Sequence, residues 1–277
     1  MDSRLNDRHR AVGQPYDDVA YEYEVTRLEQ HSAAEREMTE RYLERFVPSG
    51  STVADVGVGH YDEFLARRGC RLHLVDVSAR LLETALGRLE SCGLSGHVLD
   101  AQVASATDLA HLSDASCDAV LLLGPLCHLL TLAERQRAVR EARRVLRGDG
   151  LLAASGCNRI VGLGGGYYLE PERCIELLED YRQFVADGIV EPDLAPTIGH
   201  AHFTGAAEFR ALFEGVFEEA MFVGIESFTG SRQKIFSEIS PDAQQAWLDL
   251  VEATAATAEG IGLSEHFLFI GRPQSDW

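Results

Sequence analysis

The sequence predicts an α/β fold: a doubly wound, mostly parallel sheet of seven strands with the last strand antiparallel, plus helical cap insertions. Three observations support this prediction. Short apolar segments alternate with helix-patterned segments from residue 52 to 156, two closely spaced glycines follow the first of them, and two further strand patterns come late in the chain. Such alternation is typical of parallel strands covered by helices on both faces.

The elements follow in a regular order. Two helices are expected before the first strand, the second ending at Pro48-Ser-Gly50. Ser78 can cap a later helix, and Arg147-Gly-Asp-Gly150 is expected to turn the chain into the fifth strand. The predicted strands are 52–57, 71–76, 97–103, 118–123, 151–156, 217–228 and 265–271, and the predicted helices after the first strand are 61–68, 79–91, 132–146, 171–187, 206–214 and 240–259.

One domain accounts for most of the chain, since 277 residues can bury one substantial core. Residues 1–15 are polar and are expected to form a disordered arm. Residues 16–277 then form a single domain. Its additions to the sheet are covering helices at 16–47, a cap insertion at 158–204 and a helical insert at 231–262.

The composition argues against several kinds of partner. The chain has 25 basic and 44 acidic residues, a net charge of −19, and such a field repels nucleic acids and anionic membranes. No apolar run reaches the roughly 20 residues that a bilayer-spanning helix needs, and the charged N-terminus does not resemble a signal peptide. The six cysteines contain no C-x-x-C pair, which is typical of reduced thiols. We therefore expect a cytoplasmic protein with no nucleic-acid or membrane partner, and leave a homodimer open.

The turn after the first strand is the clearest functional signal. Gly57 and Gly59 follow an apolar strand and let the backbone turn sharply close to a ligand. About twenty residues later a second strand ends in Asp76, where a carboxylate can accept hydrogen bonds from both hydroxyls of a ribose. Together they indicate a Rossmann-like site for an adenosine cofactor.

Four motifs in order resemble those of class I S-adenosylmethionine (SAM)-dependent methyltransferases. They are Asp55-Val-Gly-Val-Gly59, Leu74-Val-Asp-Val-Ser78, Leu122-Leu-Gly-Pro-Leu-Cys-His-Leu129 and Glu141-Ala-Arg-Arg-Val-Leu-Arg-Gly-Asp-Gly-Leu-Leu152. The flanks Tyr23–Leu28, His202–Thr204 and Gly262–Gly271 resemble a bacterial subgroup that acts on small molecules.

The resemblance implies a SAM site and the residues that form it. Gly57 and Gly59 would border the methionine part, Asp76 would bind the ribose, and Arg27 would reach the methionyl carboxylate. The implied cofactor-binding set is Arg27, Asp55, Gly57, Gly59, Asp76, Val77, Ser105, Ala106, Leu123 and Gly124.

The methyl acceptor is expected to be a small molecule or a short peptide, with specialised metabolism as the setting. SAM chemistry needs positioning and, for a hydroxyl or amine acceptor, a base. His128 after the fourth strand is the candidate base, although it could equally pack the start of a helix.

The cap supplies the candidate acceptor-binding residues, which ordinary packing would also explain: Tyr167, Tyr168, His200 and His202. His200 and His202 are spaced as two metal ligands could be. No third ligand stands at an informative spacing, so no metal is expected.

Two departures from the family pattern concern the cofactor. The loop after Gly59 is two residues shorter than usual, and Ser105 stands where an acid commonly selects adenine. A degenerate SAM-binding partner or regulatory subunit is therefore the alternative function. A nicotinamide-dependent oxidoreductase is disfavoured because Asp62 occupies the place of the third glycine in G-x-G-x-x-G.

Overall fold

The computed structural model describes Gly13, Tyr16 and residues 21–30, 32–195 and 198–275. Apart from Gly13, the predicted arm at residues 1–15 lies outside the described residues. Among those described, no helix is both long and apolar enough to cross a bilayer.

A seven-stranded sheet forms the centre of the described chain. Its strand order is β3-β2-β1-β4-β5-β9-β8. Strands β1 to β5 pair in parallel, and β9 runs antiparallel to both β5 and β8. The predicted fold class is confirmed. The strands are β1 Thr52–Val56, β2 Arg71–Asp76, β3 Val98–Val103, β4 Cys117–Leu122, β5 Leu146–Cys157, β8 Phe217–Gly224 and β9 His266–Pro273, and a separate hairpin joins β6 Ile189–Val190 to β7 Ala201–His202.

Helices flank this sheet and precede it. The Ser78 hydroxyl accepts a hydrogen bond from the Leu81 N–H at 3.1 Å and caps α4, as predicted. The helices are α1 Tyr21–Gln30, α2 Ala33–Phe46, α3 Asp62–Arg67, α4 Ala79–Ser91, α5 Pro125–His128, α6 Leu132–Val145, α7 Arg159–Leu169, α8 Leu178–Asp187, α9 Ala206–Ala211, α10 Gln233–Glu238, α11 Pro241–Thr254 and α12 Ala258–Leu263.

The core lies on both faces of the sheet because side chains alternate along each strand. Val53, Leu72 and Leu121 belong to one apolar cluster, whereas Ala54 and Val120, which neighbour them in sequence, belong to the other. The first cluster includes α2 and α4, and the second includes α6 and α9. Burial on both faces explains why the strands read as continuous apolar segments.

The predicted turn at Arg147-Gly-Asp-Gly150 is wrong in detail. Strand β5 already begins at Leu146, which pairs with Cys117, and Leu151 pairs with Ala119. Between these two pairs, four residues of β5 face the single residue Asp118 of β4, so the segment is a bulge within the strand. The glycines that indicated a turn allow this irregular backbone instead.

The cap departs more from the prediction. Helix α7 covers Arg159–Leu169, where no helix was predicted, and the predicted helix 171–187 is a 3₁₀ turn Pro171–Cys174 followed by α8. A Cβ on Gly162 would lie 2.6 Å from the Phe203 ring, and one on Gly166 would lie 2.3 Å from the Tyr181 hydroxyl. Close packing of α7 therefore outweighs the low helix propensity of glycine.

The helical insert between β8 and β9 packs on α2. It contains a 3₁₀ segment Ser227–Arg232 and helices α10 to α12. Arg41 on α2 donates hydrogen bonds to Asp249 at 3.0 Å and to Glu252 at 3.3 Å on α11. This contact attaches the insert to the helices that cover the carboxyl edge of the sheet.

Candidate methyl-transfer site

The carboxyl ends of the parallel strands form a crevice with a cavity of about 100 Å³. Gly57 follows β1, Asp76 ends β2, and Gly124 follows β4. Ligands of doubly wound sheets bind at this edge. The predicted cofactor-binding residues that line the cavity are Gly57, Asp76, Val77, Ser105, Ala106, Leu123 and Gly124.

Asp76 is an acidic group of this cavity, at the end of β2. The N–H of Ser78 donates to its Oδ1 at 2.7 Å. Burial raises the pKa of the Asp76 carboxyl to about 7, because it outweighs the lowering effect of that hydrogen bond. A carboxyl held out of water on a cavity wall is suited to hydrogen bonds from ligand hydroxyls.

Gly57 is the glycine that the local geometry requires. Its φ is +89°, and a Cβ on it would lie 2.7 Å from the Pro125 ring. Gly59 differs, since a Cβ there would meet no described atom within 4 Å. Gly59 lines neither this cavity nor the larger one described below.

Asp55 lines neither cavity. It is buried, and no hydrogen-bond partner lies near its Oδ2 among the described residues. Burial raises the pKa of its carboxyl well above the usual range, and the nearby Asp62 adds to the effect. Asp62 itself is buried against Arg88, whose Nη2 lies 2.7 Å and 2.8 Å from the two carboxylate oxygens.

A larger cavity of about 400 Å³ adjoins the first. The N-terminal helices, the loop after β1, the ends of β5 and β9, and the cap all contribute to its walls. The side chains or backbone that line both cavities, and so mark their junction, belong to Tyr16, Glu24, Gly57, Val58, Leu123, Gly124 and His128.

Arg27 lies on the wall of the larger cavity and pairs with a carboxylate of the chain itself. Its Nη1 and Nη2 donate to Glu35 at 2.5 Å and 3.3 Å. Burial would lower the pKa of Arg27, but Glu35 and Glu24 outweigh it and raise that pKa. Since a guanidinium has five donors, the pairing with Glu35 is compatible with a second carboxylate.

Glu24 stands at the junction of the cavities. Its Oε1 lies 3.0 Å from His60 Nε2. Burial would raise the pKa of Glu24, yet the His60 hydrogen bond and the Arg27 charge lower it to about 2. Glu24 is therefore ionised at neutral pH.

His266 and Glu226 form a second ion pair, and His266 lines the larger cavity. His266 Nδ1 donates to Glu226 at 2.6 Å and lies 3.6 Å from Glu35. Burial would lower the pKa of His266, but Glu35 and Glu226 raise it well above its ordinary value. The imidazole is thus cationic. The Ser264 hydroxyl and the His266 N–H donate to the other oxygen of Glu226 at 2.5 Å and 3.0 Å.

The atoms of Glu35, Glu226 and His266 lie within 4.8 Å of one another, close enough to hold a metal ion. The hydrogen bonds and ion pairs that these three side chains already make oppose metal binding. Glu35 pairs with Arg27, and Glu226 accepts from Ser264 and His266. The two carboxylates are therefore neutralised by two cationic side chains.

His128 occupies the junction with Tyr16. His128 Nδ1 lies 3.1 Å from the carbonyl oxygen of His200, which can only accept, so Nδ1 carries a proton. Nε2 lies 2.7 Å from the Tyr16 hydroxyl. Burial raises the pKa of Tyr16 well above its usual value, so its hydroxyl keeps its proton. In the tautomer with a proton on Nδ1, Nε2 is the ring nitrogen that accepts a hydrogen bond at the junction.

Two thiols line the larger cavity beside this dyad. The Cys127 thiol donates to the Gly124 carbonyl at 2.9 Å. A hydrogen bond with the Cys127 thiol, together with burial, raises the pKa of the Cys157 thiol well above the usual range. Cys157 therefore remains a neutral thiol at physiological pH.

The four predicted acceptor-binding residues line neither cavity. Tyr167 and Tyr168 on α7 are 72% and 59% exposed. His200 pairs with Glu191 at 3.0 Å and meets His128 only through its carbonyl. His202 is buried beside Arg135 and Glu208, and its pKa falls to about 4 because of burial and the Arg135 charge.

The sequence reasoning missed the acidic wall of the larger cavity. Glu226 follows β8. Glu265 immediately precedes β9, and His266 is the first residue of that strand. Because β9 is antiparallel, its start lies at the same edge as the carboxyl ends of the parallel strands. This orientation is the signal that could have found the two β9 residues.

Comparison with known proteins identifies a domain within the chain. Residues 54–154 match the model of a family described as a methyltransferase domain. The matched segment runs from β1 to β5 and includes Gly57, Asp76 and His128. Over these residues the chain is similar to methyltransferases. The recognised resemblance and SAM as the cofactor are confirmed.

One curated relative from Encephalitozoon cuniculi, named as a methyltransferase, is 30% identical over 150 residues. The alignment covers 54% of this chain and 63% of the relative, so it spans less than two thirds of that protein.

Solved structures with the same fold have less sequence in common with the chain. A SAM-dependent methyltransferase of Thermotoga maritima, titled a possible histamine N-methyltransferase, has a TM-score of 0.58 at 21% identity, over 95% of this chain and all of that one (100%). The [4+2]-cyclase SpnF has a TM-score of 0.61 at 19% identity, over 96% of each chain. At these identities the likeness concerns the fold.

The smaller cavity fits the adenosine part of SAM by the chemistry of its walls. Asp76 provides a carboxyl for the ribose hydroxyls. Ala104, Ala106 and Leu129 give an apolar surface for a flat base. Ser105, on the same wall, has a hydroxyl 3.0 Å from that of Thr107.

Proposed function

We propose that the chain transfers the methyl group of SAM to a small-molecule acceptor bound in the larger cavity, in specialised metabolism. The single observation that carries this proposal is the junction of the two cavities at Tyr16, Gly57, Gly124 and His128. A volume of about 400 Å³ lies in the range of small-molecule sites. It favours a small molecule or a short peptide over a larger acceptor.

The residues of the smaller cavity hold the cofactor together with Arg27, which lies on the wall of the larger cavity. Asp76 binds the ribose, Gly57 lets the backbone approach the methionine part, and Ser105 and Ala106 border the adenine. Arg27 takes the methionyl carboxylate while keeping its pairing with Glu35. SAM supplies a methyl group already activated by its sulfonium, so the protein mainly positions the acceptor.

His128 takes the proton of the acceptor. Nε2 of its neutral imidazole is the basic atom and is occupied by the Tyr16 hydroxyl in the structure. A hydroxyl or amine of the acceptor replaces Tyr16 and passes its proton to Nε2. The Nδ1 hydrogen bond to the His200 carbonyl keeps the ring in the required tautomer.

The test has two stages. Calorimetry with SAM measures binding, and transfer of tritium from methyl-labelled SAM to a panel of small molecules measures turnover. Binding together with labelled product is expected. Failure to bind SAM would contradict the proposal.

A SAM-binding protein without methyl transfer is the second candidate. A structure named as a [4+2]-cyclase has a similar fold, and its name indicates a reaction other than methyl transfer. This likeness favours the second candidate. The shortened loop after Gly59 points the same way. SAM binding with no transfer to any acceptor would favour this candidate.

A further inference from the structure

The Tyr16 side chain shows which kind of group the junction of the two cavities accommodates. Its hydroxyl lies 2.7 Å from Nε2 of His128. Its ring meets the imidazole edge to face, with the ring centroids 5.3 Å apart and the ring planes at 86°. Tyr16 lines both cavities. The junction therefore has room for an aromatic ring that carries a hydroxyl, which is a phenol.

A ligand can take the place of Tyr16 without disturbing the sheet. Tyr16 precedes α1 and belongs to no strand, whereas His128 is the last residue of α5, shortly after β4. His128 Nδ1 lies 3.1 Å from the carbonyl oxygen of His200, and this contact orients the imidazole. In the tautomer with a proton on Nδ1, Nε2 accepts a hydrogen bond from whichever hydroxyl lies beside it.

Aromatic rings and thiols line the larger cavity. Tyr61 and Phe203 belong to its walls, and so do Cys127 and Cys157. Aromatic rings pack favourably against other rings and against sulfur. Gly165 adds a part of the wall that has no side chain, where a Cβ would meet no described atom within 4 Å. These surfaces suit a flat aromatic molecule.

Charged groups on this wall are engaged with one another. Arg27 donates a hydrogen bond to Glu35 at 2.5 Å. Glu24 Oε1 lies 3.0 Å from His60 Nε2. A charged acceptor would lose its hydration in the cavity, where it would meet wall groups that already have partners. A neutral acceptor avoids this cost.

Acidity separates a phenol from other neutral hydroxyl compounds. A phenol has a pKa of about 10 and gives up its proton far more readily than an aliphatic hydroxyl does. An imidazole nitrogen can therefore act as the base for a phenol while the methyl group is transferred. The position of His128 at the junction thus favours a phenol over an aliphatic alcohol.

We infer that the acceptor is a neutral phenol whose hydroxyl replaces that of Tyr16 at Nε2 of His128 and whose ring lies in the larger cavity. This inference rests on the proposed function, since it names the class of molecule that the methyl-transfer site takes. The phenol oxygen gives its proton to Nε2 and forms a bond to the methyl carbon of SAM, whose carbon–sulfur bond breaks. The products are the methyl ether, S-adenosylhomocysteine and one proton, which passes from Nε2 to water.

Four aromatic probes of similar size test the inference. They are 4-ethylphenol, its isomer 2-phenylethanol, the cationic 2-phenylethylamine and the anionic 3-phenylpropionate, each titrated by calorimetry into the protein saturated with S-adenosylhomocysteine. The phenol is expected to bind at least about tenfold more tightly than its isomer and than either charged probe. Binding of S-adenosylhomocysteine is measured first, and its failure would contradict the proposed function rather than the phenol preference.

Methyl transfer is the second readout. With methyl-labelled SAM, 4-ethylphenol is expected to give the labelled methyl ether, and 2-phenylethanol is expected to give no labelled product. Label on 2-phenylethylamine and not on the phenol would support the proposed function and overturn the phenol inference.

His128→Ala should bring the affinities of 4-ethylphenol and 2-phenylethanol to within about twofold of each other, while S-adenosylhomocysteine still binds. His97→Ala is the matched control and should keep the full preference. His97 Nδ1 likewise lies 2.9 Å from a backbone carbonyl, that of Cys70, but His97 lines neither cavity. Tyr16→Phe should bind 4-ethylphenol at least as tightly as the parent, because no tyrosine hydroxyl then competes for Nε2.

The inference is overturned if 4-ethylphenol fails to bind, binds no better than its isomer, or keeps its preference in His128→Ala.

Discussion

The Tyr16 hydroxyl lies 2.7 Å from Nε2 of His128, where the two cavities meet. This contact places Nε2 of the imidazole at the junction. It also links the part of the chain before α1 to the strand ends.

His128→Ala is expected to lower turnover by about 100-fold, because the acceptor loses the base that takes its proton. SAM affinity should stay close to that of the parent. Turnover and calorimetry on the same preparation measure both. Tyr16→Phe is the companion variant, which leaves Nε2 without its donor and should lower turnover less. Full activity of His128→Ala would show that the residue only packs α5.

Gly57→Ala is expected to destabilise the protein by about 2 kcal/mol or more, because it forces a Cβ into the left-handed region and against Pro125. Gly59→Ala is the matched control, since a Cβ there has open space within the described structure. Denaturant unfolding compares the two. Equal losses of stability would contradict the different roles assigned to the two glycines.

Gly165→Leu is expected to abolish turnover without preventing SAM binding. Gly165 lines the larger cavity, and a Cβ on it would meet no described atom within 4 Å, so this wall has room for a larger side chain. The substitution should also raise helix stability by up to about 1 kcal/mol. Gly87→Leu, on the exposed surface of α4, is the control. It should raise helix stability in the same way, but it lies outside the cavity and should leave turnover unchanged. A fully active Gly165→Leu would place the acceptor elsewhere.

Asp76→Asn is expected to stabilise the cofactor-free protein at pH 8 while weakening SAM binding. Burial raises the pKa of Asp76 to about 7, above the usual value near 4 of an unfolded chain. The stability linked to its proton is complete below about pH 4 and is lost as the pH rises through 7. Removing the charge should therefore restore stability on the order of a few kcal/mol at pH 8 and flatten the pH dependence between about 4 and 7.

Chemical unfolding at several pH values measures this effect. Asp149→Asn, at an exposed position, serves as the control and should follow the parent curve. A pH dependence of Asp76→Asn that matches the parent would show that Asp76 does not titrate as described.

The sequence predicted the sheet because its signals are local. Strands β1 and β4 are short, largely buried segments, and Asp76 and Gly57 mark the edge where the smaller cavity lies. The cap could not be predicted in the same way, because α7 depends on the packing of Gly162 against Phe203. The pairing of His266 with Glu226 depends on strand order, and the Tyr16–His128 contact joins positions 112 residues apart.

Calorimetric titration of the parent protein and of Asp76→Ala with SAM tests the central claim most directly. The parent should bind SAM, and Asp76→Ala should lose that binding while its circular dichroism spectrum stays that of the folded protein. Equal affinity of the two proteins for SAM would contradict the assignment of the crevice beside Asp76 as the cofactor site.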